Sequence, residues 1–299
     1  MTYFTVSRYD IPQLQEHLLA NMSSSGRTDG HWLALFDRAF DDGRKAMNWS
    51  APQWPIYHQG KLADFETIAP TLLQLATDNS ETLQQQLLRL LRHCQGRPML
   101  SFLFSRKDPA TLRDAWQPLL EVATEDGLNF LLRFADTRTL PAIAEVLWKD
   151  VWPHLSDGID QWLYPDREGN LRALDLPESK QSLREAPHSP IRITDKALDG
   201  LLRQGQPDAL AQTLHEHFPD LLPTGDGAMT YKCLTDTCKL AETSGIEAFP
   251  ELVALAVAIL ASEDNLLESP DFSAWLKEGA WAPGRFATAL GDYLESVRR

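Results

Sequence analysis

The stretch PMLSFLFSRKDPATLRDAWQPLLEVATEDGLNFLLRFADTRTL, Pro98 to Leu140, decides the fold class. Met99 to Phe104 is a short, nearly continuous apolar run, the pattern of a strand buried on both faces, and Ser105-Arg106-Lys107 ends it. A helix follows at once. Asp108 offers a carboxylate to the unpaired N–H groups of its first turn, and Pro109 at the first helical position has no N–H to leave unpaired. Leu112, Ala115, Trp116 and Leu119 give that helix one apolar face. The chain reads as extended after Pro118 and turns at Glu125-Asp126-Gly127. It then alternates from Leu128 to Ala135, with Leu128, Phe130, Leu132 and Phe134 on one side. Arg133 on the other side and Asp136-Thr137-Arg138 just beyond put a charged cluster where this strand ends and the next helix begins.

Upstream, Ile11 to Met22 reads as a short amphipathic helix ended by Ser23-Ser24-Ser25-Gly26. Trp32 to Phe36, apolar on both faces, reads as a central strand with Asp37-Arg38 at its end. Asp41 to Pro55 reads as loop. Its Trp49 and Trp54, with Tyr57, are too apolar for a solvated loop and pack either on the protein's own core or on a partner. Ser80 can cap a helix that carries Leu83, Leu87, Leu90 and Leu91 at helical spacing, a face suited to covering the sheet.

Downstream, Pro141 to Trp152 reads as a helix. Ile159 to Tyr164 and Leu171 to Leu174 read as a hairpin that carries Trp162 and Tyr164 and closes the first domain. Pro177, Pro187 and Pro190 then sit among Glu, Ser, Lys and Arg without apolar periodicity, which is a linker pattern. Beyond it no strand is expected. Helices are expected over Thr194 to Arg203, Pro207 to His217, Ala228 to Ser244, Phe249 to Ala261, Phe272 to Glu278 and Pro283 to Val297. The expected class is α+β: a mixed α/β, sandwich-like lobe with a central sheet over residues 1–176, a linker over 177–190, and an all-helical lobe over 191–299.

With 299 residues, 43% hydrophobic content and 9 Trp, the chain can bury a sizeable core. Its formal charge of -14 argues against nucleic-acid or anionic-membrane surfaces, which need clustered Lys and Arg. Residues 190–299 hold 9 basic and 17 acidic side chains, so this smaller part carries -8 of that charge. Cys94, Cys233 and Cys238 are too few for a disulfide framework, and Met1 to Ser7 lacks the basic start of a signal peptide, so a cytoplasmic location is expected. Phe249 to Ala261 falls short of the ~20 residues that span a bilayer, contains Glu251, and reads as a buried helix. Membrane insertion is not expected.

Several side-chain groupings suggest chemistry, and each has a stronger structural explanation. Cys233 and Cys238 lie about 140° apart around a helix and have no second pair to complete a tetrahedral site. His215 and His217 in His215-Glu216-His217 point to nearly opposite sides, whereas helical metal ligands need a four-residue offset. Gly225-Asp226-Gly227 lacks the Lys-Ser/Thr of a phosphate loop and carries a repelling carboxylate, so it reads as a helix start. No nucleophile elbow or Cys-His pairing is visible. No cofactor or metal is expected. Arg133, Asp136 and Arg138 can bind an anion or position a carboxylate, but read first as an ion-pair cluster tying strand end, helix start and the Asp37 loop together.

Five segments occur in a telling order: Leu33 to Ala39 (LALFDRA), Gln53 to Tyr57 (QWPIY), Ala69 to Leu73 (APTLL), Pro98 to Phe104, and Gly127 to Arg138 (GLNFLLRFADTR). In this order they resemble the adaptor, or effector-chaperone, domain of type VI secretion systems, the Tap/Tec-type family. The resemblance runs from about Gly30 to about Leu174, and Thr137 stands where that family usually has Pro and Thr71 where it often has an aromatic. It implies a non-enzymatic cytoplasmic adaptor of a Gram-negative bacterium, whose partners are a cognate toxic effector and a VgrG-type spike protein. It marks Asp37, Pro70, Arg133, Asp136 and Arg138 as motif residues, expected to be structural, and leaves Trp54, Tyr57, Trp162 and Tyr164 as candidates for partner contact. The rival expectation is a hydrolase or transferase using the strand ends of the first domain, where open α/β sheets place their ligands.

Overall fold

Strand and helix order follow the sequence reading closely in the first two-thirds of the chain. The structure, a computed structural model, describes residues 3–24, 29–41, 47, 49–177, 190–223, 225–262, 265–279, 281 and 284–297. In chain order the elements are α1 (Ile11–Ser24), β1 (His31–Asp37), β2 (Gln53–Pro55), β3 (Pro70–Gln74), α2 (Ser80–Cys94), β4 (Leu100–Ser105), α3 (Pro109–Trp116), β5 (Glu121–Ala123) and β6 (Asn129–Leu131). There follow α4 (Leu140–Val146), α5 (Trp152–Leu155), β7 (Ile159–Pro165), β8 (Leu171–Ala173), β9 (Ile191–Arg192), α6 (Asp195–His217), α7 (Gly227–Thr243), α8 (Phe249–Ala261), α9 (Pro270–Glu278) and α10 (Phe286–Val297). The α+β class holds. The chain forms two compact units, one of residues Arg8–Gln204 and one of Gly205–Arg299 together with Met1–Ser7.

The unit of residues 8–204 is built on a six-stranded sheet in the order β2-β3-β1-β4-β7-β8, antiparallel at every pairing. β1 and β4 occupy the middle, and every residue of β4 is buried, as the uninterrupted apolar run requires. Leu33 pairs with Leu103, and Leu103 with Trp162, so these side chains share one face. That face packs on Leu112, Trp116, Ile143, Leu147 and Trp152. Trp32, Ala34, Phe36, Phe102 and Phe104 point the other way and are buried too. Here an antiparallel sheet carries the two-sided burial that is commoner in parallel ones.

Three tryptophans form the densest part of this core. Trp162 stacks on Trp116 at 5.9 Å between ring centroids and on Trp152 at 5.5 Å. Each indole N–H is satisfied: Trp116 donates to the Leu155 carbonyl at 2.8 Å, Trp152 to that of Asp175 at 2.9 Å, and Trp162 to Ser101 Oγ at 3.1 Å. Burial of such large rings supplies much of the driving force, and the paired N–H groups keep it from being offset by stranded donors.

Local signals behave as their chemistry dictates. Asp108 Oδ1 accepts from Ala110 N and Thr111 N at the start of α3. At α2 the cap is Asn79, one residue before the expected Ser80, with its side-chain oxygen accepting from Thr82 N at 2.9 Å. The expected 141–152 helix is instead two, α4 and α5, separated at Leu147 to Val151. Leu128 to Ala135 is not one continuous strand: β6 spans three residues, and only Leu132, Phe134 and Ala135 of the stretch reach the core.

A second, smaller sheet has the order β6-β5-β9, with β5 antiparallel to β6 and parallel to β9. The expectation of no strand after residue 190 therefore fails at Ile191–Arg192, and Ile191 and Ile193 join the first core. Most of the expected linker over 177–190 lies outside the described residues. The division between compact units falls at Gln204/Gly205, inside α6. Two helices expected on either side of Gly205-Gln206-Pro207 are one. Pro207 lacks an N–H for the helical ladder, but its ring is buried, and packing offsets the lost bond.

The other unit gathers α7 to α10 and the second half of α6 around Leu214, Leu234, Leu255, Phe272, Phe286 and Leu290. Trp275 stacks on Tyr293 at 4.5 Å and meets Trp281 at 4.8 Å. The described part of the N-terminal segment belongs here as well. Ser7 Oγ donates to Asp226 Oδ1 at 2.9 Å, Tyr3 OH donates to Thr230 Oγ1 at 3.0 Å, and Gly227 approaches so closely that a Cβ there would sit 2.5 Å from Val6 N. Among the described residues, no helix is long and apolar enough to cross a membrane.

Candidate functional site

The charged residues singled out in the sequence converge at the end of β1. Asp37 closes that strand, and its N–H donates to the Met99 carbonyl at 2.9 Å. Its Oδ1 accepts from Ala39 N at 3.0 Å, capping the turn Arg38–Phe40, and its Oδ2 accepts from Arg133 Nη2 at 3.0 Å. Asp136 makes a second pair: Arg138 Nε reaches its Oδ1 at 3.1 Å, Arg138 Nη2 its Oδ2 at 2.7 Å, and Arg138 N its Oδ1 at 3.0 Å. Phe40 joins the two, with the Arg133 guanidinium 4.8 Å and that of Arg138 5.5 Å from its ring centroid. Both carboxylates are almost completely buried, and each is met by a guanidinium and a backbone N–H. Such an arrangement joins strand end, turn and helix start, and turns its polar atoms on one another.

Burial holds the Asp37 carboxyl above its usual pKa, outweighing the lowering by Arg133 and by the Ala39 N–H. Tyr57 is pushed up to about 12 by burial, assisted by Asp37 and opposed by Arg133. The folded protein therefore binds the Asp37 proton more tightly than the unfolded chain does. The stability this group contributes is fully present below the unfolded pKa and is lost as pH rises through the raised folded value. Asp37→Asn keeps an acceptor for Ala39 N without the buried charge. It should stay within about 1 kcal/mol of wild type at pH 7 and lose less stability between about pH 4 and 7, measured by urea unfolding. A loss beyond about 3 kcal/mol at pH 7 would mean that the pair with Arg133 outweighs burial.

The remaining motif residues are structural in their contacts. Pro70 is buried in β3 opposite Asp37. Thr71 donates from Oγ1 to the Ala69 carbonyl at 3.0 Å in a site with no exposed surface. Thr137 N donates to the Pro98 carbonyl at 2.9 Å, a bond that a proline at this position could not make. Of the aromatic partner-contact candidates, Tyr57 and Trp162 are corrected by their burial: both are core residues. Trp54 and Tyr164 remain partly exposed.

Other tempting groups have local explanations. Cys233 and Cys238 are half-buried free thiols, and burial raises both, Cys238 to about 11. The His215 ring stacks on Tyr3 at 5.4 Å, and His217 Nδ1 lies 3.0 Å from the Thr213 carbonyl. Asp226 caps α7 by accepting from Met229 N at 3.0 Å. Among the described residues no group of three or more His, Cys, Asp or Glu is arranged to hold a metal ion.

Two exposed features were missed by sequence reading. Phe249 to Ala261, read as a buried helix, buries Glu251, Leu252, Leu255, Ala256, Ala258 and Ile259 of α8 and leaves the rest partly exposed. Its Val253, Ala254 and Val257 face a groove of about 510 Å³ whose other wall is Ala287, Gly291 and Leu294 of α10, and among the described residues no charged side chain lines it. The second feature is β6, whose residues are all exposed. An apolar helix shorter than a membrane span and without clear periodicity gives no hint of which side will be left open.

No curated protein and no solved structure matches the chain. Residues 32–153, which hold β1 from its second residue on, β4 and all of the Asp37, Arg133, Asp136 and Arg138 cluster, match the family described as a domain of unknown function (DUF4123).

Proposed function

We propose that the protein is a non-enzymatic adaptor that holds a cognate type VI secretion effector in the cytoplasm and helps load it onto a VgrG-type spike. The ordered resemblance of its motifs to the Tap/Tec-type adaptors, whose segments fall largely within the matched region, supports this reading. The observation that carries it furthest is the open groove between α8 and α10, which no charged side chain lines among the described residues. Such a groove suits an apolar helical segment of another protein better than a reacting substrate. Residues 205–299 contain 6 basic and 15 acidic side chains, so the cargo segment that fits carries basic residues beside its apolar face. Contact with individual toxins lies in this unit, outside the region common to the family.

Gly291 provides the test. Nothing lies within 4 Å of a Cβ built there, and its backbone is ordinary helix. Gly291→Ala should raise stability by about 0.5–1 kcal/mol, read from the urea midpoint. Gly291→Trp should fold equally well, fill the groove and weaken binding of the toxin encoded beside this gene at least about tenfold, or about 1.4 kcal/mol. Undiminished binding by Gly291→Trp would place the cargo contact elsewhere. No toxin binding by the wild-type protein, with a metabolic operon around its gene, would sink the adaptor reading.

A further inference from the structure

Glu251 is the single ionisable side chain of α8, and only 7% of its surface is exposed. Among the described residues no cation pairs with it. A buried carboxylate without a counter-charge is costly, and the ordinary reason for a glutamate at this position does not apply. Glu251 is the third residue of its helix, where a glutamate commonly reaches back to the N–H of the capping residue while that residue's side chain bonds forward. Here the capping residue is Ala248, which has no polar side chain to bond forward, and no side-chain cap is made. Glu251 Oε1 instead accepts from Gly284 N at 3.0 Å, across to the turn that leads into α10.

We propose that this bond is a clasp that positions α10 against α8, and that Glu251 is thereby a positioning residue for the groove between them. The groove is that of the adaptor reading, and the inference rests on that reading only for what fills it. Pro250, Val257 and Ala261 line it from the first turn of α8 to the last, and Ala287, Gly291 and Val297 do so along α10. Its shape therefore depends on how two helices lie against each other over their whole length. Buried Phe286 and Leu290 attach α10 to the core, but apolar contact is non-directional and leaves the start of the helix free to shift. A hydrogen bond to a carboxylate has a length and a direction, and this one fixes the chain two residues before Phe286.

The clasp bears on binding more than on stability. Gly284 is exposed, so its N–H passes to water when the carboxylate is removed. Glu251→Leu also removes a buried charge that has no counter-charge, which offsets the lost bond. The folded state then stays about as stable, while α10 spreads over more positions, of which a fraction present the groove. Apparent affinity falls by that fraction.

Nile red, a neutral dye that fluoresces in apolar surroundings, reads the groove of the full chain without a toxin. Wild type and Glu251→Gln, whose amide oxygen still accepts from Gly284 N, should bind the dye within about twofold of each other, and Gly291→Trp should abolish the binding. Glu251→Leu should bind it about tenfold more weakly, with a urea midpoint no lower than that of wild type. Its Gly284 amide should exchange hydrogen at least about tenfold faster, while amides in the middle of α8 keep their protection. Full binding by Glu251→Leu, a midpoint that falls along with the binding, or unchanged exchange at Gly284 would each overturn the inference. So would a wild-type protein that takes up no dye, or uptake that Gly291→Trp does not reduce. A clasp verified in this way in a protein that binds no toxin would sink the adaptor reading alone.

Discussion

Asp136→Ala is expected to cost about 3–5 kcal/mol of folding stability. The carboxylate is 1% exposed and accepts three hydrogen bonds from Arg138, one of them from the backbone N–H. Removing it leaves a guanidinium that is 17% exposed without its bidentate partner and uncaps the turn that leads into α4. Water can reach Arg138 only in part, and the Phe40 ring recovers little of the lost charge pairing. The midpoint of urea unfolding should fall with little change in its slope, because the folded surface is unaltered. Asp136→Ala combined with Arg138→Met should recover part of the loss, since the apolar side chain needs no carboxylate beside it. If Asp136→Ala instead unfolds like wild type and loses toxin binding, the cluster is a contact surface and its structural role is wrong.

Trp162→Ala should be comparably damaging, by about 3–5 kcal/mol, through a different mechanism. The indole is fully buried in a central-sheet strand and is the middle ring of a stack with Trp116 and Trp152 on either side. Truncation opens a cavity that two large neighbouring rings are too stiff to fill, and it leaves Ser101 Oγ, also buried, without its donor. Trp162→Phe retains a ring in the stack and should lose markedly less, while still stranding Ser101. Loss of near-ultraviolet ellipticity in step with the urea transition would show that the aromatic core and the rest of the unit unfold together. A loss below about 1 kcal/mol for Trp162→Ala would mean that the stack collapses to fill the space.

What could be read in advance was what neighbours in sequence decide. The apolar run into Ser105, the cap at Asp108 and the hairpin around Gly169 are local, and the structure places all three where the sequence does. The cluster of Asp37 with Arg133 was legible because both residues end apolar segments, and buried charges at strand ends need partners. Alternation alone could not show that Leu128 and Phe130 stay exposed while Leu132 and Phe134 go inside, because that depends on which strand lies alongside. Likewise Pro207, an ordinary helix breaker by its own chemistry, sits inside α6 because tertiary burial of its ring outweighs a lost backbone bond. The six-stranded sheet is antiparallel at every pairing, whereas the ligand crevices of open α/β sheets lie where parallel strands end on one side, a distinction that apolar runs alone do not reveal.

The discontinuous unit has a consequence for how the molecule is made. Residues 8–204 can complete their own sheet and core while still attached to the ribosome, because every strand they need has already emerged. Tyr3 and Ser7 find their hydrogen-bonding partners 227 and 219 residues later, so this apolar-rich segment must wait on the order of ten seconds or more at ordinary rates of synthesis. Thermodynamically the delay matters little, since each doubling of a closed loop adds only about 0.6 kcal/mol. Kinetically it makes α7 and its neighbours fold against residues synthesised more than two hundred positions earlier. A bulky tag fused ahead of Tyr3 would thus weaken the unit that contains α7 to α10, about two hundred residues downstream of the change.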